Sequence, residues 1–148
     1  MLPRVEYSVT VPVPVDEAFK AFQDLGRLLH RGIYDEALWV EGKPWQVRSR
    51  LRYVTARPVR TTISAVVTSI SPPRAVALLN HGLGITVEQN VSFTPDLKGG
   101  TRILMTMDFV GKSLELSASA VREMISFLTK DALDTVVALC RRPSSATG

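Results

Sequence analysis

Gln89 is the residue whose type least fits its surroundings. It falls at every second position among Ile85, Val87, Val91 and Phe93, on an otherwise apolar face. A side-chain amide has two donors and an acceptor, and burying it unpaired costs about 1–3 kcal/mol. A bound molecule or a cavity water would meet that need, and so would a neighbouring side chain or the final helix. Tyr53 presents a ring and a hydroxyl, and Ser49 shares its two-residue spacing. Met105, Met107, Met124 and Leu128 would give an adaptable apolar wall, a role that plain core packing matches equally well. The expected ligand contacts are therefore Ser49, Tyr53, Gln89, Met105, Met107, Met124 and Leu128.

Other chemistries find less in the chain. His81 could move protons near neutrality, but its place beside Gly82 reads as a loop tip, and His30 reads as a helix end. No residue is assigned a catalytic role. Two distant histidines and the single Cys140 have no standard metal-ligand spacing, so neither metal nor other cofactor is expected. Cys140, on an apolar helical stretch, reads as packing. A G-x-S-x-G nucleophile turn does not occur. Gly111-Lys112-Ser113 has the end of a phosphate-binding loop, but Thr106 stands where that loop needs its first glycine. Arg48, Arg50 and Arg52 alternate with Ser49, Leu51 and Tyr53 and read as the solvated outer face of a sheet. Nucleic-acid binding would want aromatics beside that row, whereas alternation puts Tyr53 opposite it, so no nucleic-acid partner is expected.

The elements that must position these residues follow from periodicity. Val5, Tyr7, Val9 and Val11 alternate with polar residues over 4–11, predicting a half-buried strand that Pro12 and Pro14 stop. Ala18, Phe19, Phe22 and Leu25 predict a helix over about 15–25, broken by Gly26. Leu28, Leu29, Ile33 and Tyr34 predict a second short helix or turn before Trp39. From Leu38 to Val110 the period is two, with strands over 47–53, about 59–70, 74–80, from Ile85 to Phe93, and from Ile103 to Phe109. Asn80 to Gly84 reads as a tight connection in which two glycines supply positive φ, and Pro95 to Gly100 as a hairpin turn. After Gly111 the stripe of Val121, Met124, Ile125, Leu128, Ala132, Val136 and Leu139 predicts a long helix that Pro143 ends.

The 148 residues, 45% hydrophobic and 22% charged, with nine Gly, nine Pro and one Cys, exclude collagen-like, disordered and disulfide-stapled classes. One domain over 1–143 is expected, followed by a disordered tail at 144–148. The net charge of +4 argues only for weak, salt-sensitive attraction to anions. The amino terminus lacks the apolar core of a secretory signal, and charged or polar residues interrupt every apolar run before a membrane span is reached. A cytoplasmic location with no integral membrane segment is expected. A homodimer is left open.

Three stretches carry a family likeness: Val9-Thr10-Val11-Pro12-Val13-Pro14-Val15-Asp16-Glu17-Ala18-Phe19, Glu41-Gly42-Lys43-Pro44-Trp45, and Gly99-Gly100-Thr101-Arg102-Ile103. In them the chain resembles the START-like or SRPBCC superfamily, whose helix-grip fold is shared by birch-pollen allergens, lipid-transfer START domains and polyketide cyclase/dehydrase proteins. The likeness spans roughly 4–141. Many relatives carry glycine after the first long turn, where this chain has Arg48-Ser49-Arg50. The resemblance implies an α+β helix-grip fold: a curved antiparallel sheet of about seven strands around a long C-terminal helix, with two short helices after strand 1. It further implies a cavity for a small hydrophobic molecule, such as a lipid, polyketide or aromatic compound, and the leading expectation for this chain is binding or transport without catalysis. Two rivals are a cyclase, aromatase or dehydrase using the same cavity, and a protein-interaction module.

Overall fold

In the computed structural model, which describes residues 4–110 and 117–141, the two-residue alternation builds one antiparallel sheet. Strand β1 (Arg4–Val11) leads into two short helices, α1 (Val15–Gln23) and α2 (Leu25–Leu28). Strands β2 (Tyr34–Glu41), β3 (Arg50–Thr55), β4 (Thr61–Ser71), β5 (Ala75–Gly82), β6 (Ile85–Pro95) and β7 (Thr101–Phe109) follow, and then the long helix α3 (Ala118–Arg141). The spatial order is β1-β7-β6-β5-β4-β3-β2, so consecutive strands pair from β2 to β7 and β1 closes onto β7. This is the expected α+β helix-grip architecture.

One face of the sheet is apolar and α3 covers it. Ile85, Val87, Val91 and Phe93 of β6 and Ile103, Met105, Met107 and Phe109 of β7 are buried, as are Val121, Ile125, Leu128, Ala132, Val136 and Leu139 of α3. Each such side chain contributes about 1.5–3 kcal/mol by leaving water. α1 adds Phe19 and Phe22, whose rings meet Phe93 edge-on at 5.1 and 5.8 Å. Among the described residues no helix is long and apolar enough to cross a membrane.

The cover is hydrogen-bonded to the sheet on one side, and an ion pair of Arg57 with Asp131 at 3.9 Å links it to the β3–β4 connection on the other. α3 packs chiefly against β1, and less against α1 and β7. Tyr7 of β1 donates to Asp134 Oδ1 at 3.2 Å, and Arg122 donates to the Arg4 carbonyl at 3.4 Å. No hydrogen bond ties α3 to β3, β4 or β5 among the described residues.

Several boundaries differ from the sequence reading. α1 ends at Gln23, and Gly26 lies inside α2. The cause is Asp24, whose carboxylate accepts from the Arg27 amide at 3.1 Å and caps a new helix two residues before the glycine. β2 starts at Tyr34 rather than near Leu38; register shifts at Tyr34/Glu36 and Trp39/Glu41 blur its alternation. β3 starts only at Arg50, so Val47, half exposed at 50%, is not on the inner face. Just before β3, Arg48 takes a left-handed φ of 76°. It is held there by hydrogen bonds from its amide to the Val67 carbonyl and from the Val67 amide to the Ser49 carbonyl. β5 runs through His81 to Gly82, and Leu83 and Gly84, not Gly82 and Gly84, supply the positive φ. Gly111 to Ser113 and the tail from 144 lie outside the described residues.

Gly32, between α2 and β2, marks the closest approach of a loop to α3. Its φ is +55°, and an added Cβ would run into Thr135 Oγ1 and stand 2.8 Å from Asp131 Oδ2. Gly32→Ala is expected to lose about 2–4 kcal/mol in urea denaturation. Gly26→Ala, whose nearest atom would be 3.6 Å away, changes stability by less than about 1 kcal/mol.

Candidate functional site

Away from the β1 anchor, α3 and the sheet enclose a cavity of about 50 Å³. Ile63, Ile85, Val87 and Met107 form its sheet wall, and Met124, Ile125 and Leu128 of α3 face them. Pro58, in the β3–β4 connection, and Leu83, in the β5–β6 turn, are exposed lining residues at its rim. A second chamber of about 30 Å³ lies toward α1, bounded by Phe22, Leu25, Trp45, Leu51 and Leu78. Tyr34, Tyr53, Asn80 and Gln89 border both chambers and form a polar partition between them.

The partition is a chain of hydrogen bonds that joins residues of four strands. Tyr53 of β3 reaches over β4, where Ala65 lies opposite Asn80, and donates to Asn80 Oδ1 at 2.9 Å. The Asn80 amide donates to Gln89 Oε1 at 3.0 Å, and the Gln89 amide to Met105 Sδ at 3.5 Å. Leu78 is opposite Gln89 and Asn80 opposite Val87, so the two amides are diagonal neighbours on one face. Gln89 thus meets its need within the protein, through a partner on the next strand.

Burial shapes the two phenols. Loss of solvent pushes Tyr34 up to about 12, with the negative Asp131 adding to it, and pushes Tyr53 still higher, with Tyr34 adding to it. Both are therefore hydrogen-bond donors near neutrality rather than bases. Thr55, at the end of β3, also lines the larger chamber, and its Oγ1 is sealed from solvent with no partner among the described residues.

Of the residues expected to contact a ligand, Tyr53, Gln89, Met107, Met124 and Leu128 come together around this chamber. Ser49 and Met105 do not line it. Ser49 is buried because its hydroxyl donates to the Lys43 carbonyl at 2.6 Å, fastening the Glu41–Trp45 turn. Met105, 0% exposed, is packed behind Gln89 as its acceptor. His81 is not a loop tip but an exposed strand residue, its Nδ1 2.9 Å from Thr86 Oγ1. Cys140 is a half-buried free thiol whose pKa burial raises. Arg50 and Arg52 are exposed on the outer side, Arg50 pairing with Glu41 at 2.9 Å. No group of three or more His, Cys, Asp or Glu able to hold a metal occurs among the described residues.

The sequence reading missed Asn80, Tyr34 and Thr55. Asn80 stands at the end of the strand expected over 74–80, where the expected connection opens, and in β5 Val76, Leu78 and Asn80 share one face. Continuing Leu51 and Tyr53 by two residues reaches Thr55 in the same way. Tyr34 was hidden by the β-bulge beside it.

Residues 3–141 match the family model described as polyketide cyclase / dehydrase and lipid transport. The chain belongs to that family. Solved structures of similar fold include the Zhui aromatase/cyclase of Streptomyces sp. R1128, at 18% identity and a TM-score of 0.79 over 100% of this chain and 99% of that one. A START superfamily protein from Mycobacterium smegmatis is 14% identical with a TM-score of 0.76, covering 93% of this chain and 96% of its own. Ara h 8.0201 is 14% identical with a TM-score of 0.75, covering 93% and 97%. None of the curated proteins matches the chain in sequence. At such identities the likeness to this polyketide cyclase / dehydrase and lipid transport family member is one of fold.

Two outcomes follow from the partition. Asn80→Ala strands the Tyr53 hydroxyl and the Gln89 carbonyl together, and is expected to cost about 2–4 kcal/mol in urea denaturation. The raised phenols also link stability to alkaline pH. Unfolded tyrosine loses its proton near 10 while the folded groups keep theirs, so their contribution is complete below pH 10 and falls as pH rises through 12. The urea midpoint should drop over that window, and the Tyr34→Phe/Tyr53→Phe double variant should drop less steeply.

Proposed function

We propose that this family member binds a small apolar molecule in the chamber under α3 and carries or presents it without transforming it. The observation that carries this reading is the lining itself: apolar side chains from the sheet and α3, interrupted by a few neutral hydrogen-bonding groups. A cyclase using the same chamber would need a side chain that exchanges protons near neutrality. The described lining offers hydroxyls and amides, with both phenols held protonated.

Size constrains how such binding works. Sites for drug-sized ligands commonly measure about 300–1,000 Å³, well above the 50 Å³ of this chamber. α3 is hydrogen-bonded along β1, while the Arg57–Asp131 ion pair at 3.9 Å and apolar packing hold it on the other side, so widening there would leave the β1 anchor intact. Parting the Tyr53–Asn80 contact would join the two chambers. The half-buried thiol of Cys140, the single cysteine, fits a reducing, cytoplasmic setting.

Native mass spectrometry of protein purified without detergent should show a retained apolar compound, or uptake of one from a lipid and aromatic panel. Met124→Trp, which places a large ring in the chamber wall from a part-exposed position, should weaken that uptake at least tenfold while the fold persists by circular dichroism. A protein that stays empty against the whole panel overturns the reading.

A further inference from the structure

Thr55 is an exception among the buried threonines. Thr129 and Thr135 of α3 donate to the Ile125 and Asp131 carbonyls at 2.6 and 2.7 Å, and Thr101 donates to the Val13 carbonyl at 2.8 Å. Thr55, 1% exposed, has a hydroxyl oxygen with no partner among the described residues. It shares the inner face of β3 with Leu51 and Tyr53, lines the larger chamber, and stands directly opposite Tyr34 in register. A hydroxyl that is hidden even from a water in the chamber and unpaired is costly, and a ligand large enough to widen the chamber would reach it and supply the missing partner.

The second observation is electrical. No charged side chain lines the chamber among the described residues. A carboxylate placed there would shed its water without gaining a counter-ion. The charges nearest to it, the Asp131 carboxylate that acts on Tyr34 and the exposed Arg57 3.9 Å from that carboxylate, are already paired with each other, so neither is a free counter-ion for an entering anion. A hydroxyl or carbonyl oxygen pays far less to enter and finds Thr55, Tyr34 and the partition amides as partners.

Building on the ligand-binding reading above, we infer that the chamber selects an uncharged hydroxyl or carbonyl compound over a carboxylate, and that Thr55 is the residue that holds the ligand oxygen. Three probes of one shape separate these terms in fluorescence titrations of the full chain at pH 7: 2-naphthol, 2-naphthoate and naphthalene. 2-Naphthol should bind at least tenfold more tightly than 2-naphthoate and several-fold more tightly than naphthalene. Thr55→Val keeps the β-branched shape and removes only the unpaired hydroxyl, so its thermal midpoint should hold or rise. That variant should bring 2-naphthol close to naphthalene while leaving naphthalene unchanged. Naphthoate binding as tightly as naphthol, or an unaltered naphthol-to-naphthalene ratio in Thr55→Val, overturns the inference while the ligand-binding reading stands. Failure of all three probes to bind overturns both.

Discussion

The grip of α3 on β1 is the constraint from which the rest of the structure follows. Tyr7 to Asp134 and Arg122 to the Arg4 backbone fix the helix over one end of the sheet, and the apolar stripe of α3 fills the space beneath it. The sheet is wider than one helix. β3, β4 and β5 lie beyond the anchored end in the strand order, and the space between them and α3 becomes the chamber. At the far end the Gly32 loop comes so close to Thr135 and Asp131 that only a glycine fits. A helix placed centrally would leave a filled core; an off-centre one leaves room.

Within that room the polar groups are arranged with a direction. Each member of the Tyr53, Asn80, Gln89 and Met105 series donates to the next, and the series ends on a thioether, a weak acceptor. A partition built this way has its strongest bonds near Tyr53 and its weakest at Met105. It pairs two buried amides without introducing a charge. The same residues that stabilise the closed form are the ones a guest would have to compete with or join.

Much of this architecture was legible in the residues because period is a strong signal in long strands. β6 and β7 alternate cleanly between buried and exposed sides, and the α3 stripe keeps helical spacing from Val121 to Leu139. What could not be read lay where a local interaction outweighs period. Asp24 capping α2, the bulges of β2, and the backbone bonds that hold Arg48 in a left-handed conformation each moved a boundary by a few residues. Those shifts decided the site. β5 runs two residues past Asn80, which puts that residue inside the strand at the centre of the partition, while Ser49, which seemed to continue a strand, fastens a turn. Gln89 stood out in sequence because its neighbours on both sides were apolar, and it was inward-facing as that pattern demanded.

The pairing of β1 with β7 also governs the order in which the molecule can assemble. Arg4 meets Asp108 across 104 residues of chain, the longest closure in the sheet, and contacts so far apart in sequence are slow to form. A chain made from its amino terminus has β1 first and its partner last, so the β2 to β6 hairpins can zip together while the strand that anchors α3 still waits. Until β7 emerges β1 has no partner and β6 is an open edge, and the apolar inner face stays uncovered until α3 follows. Nascent copies are therefore most prone to misassociate late in synthesis, and a truncation just before β7 would strand the molecule in that sticky form.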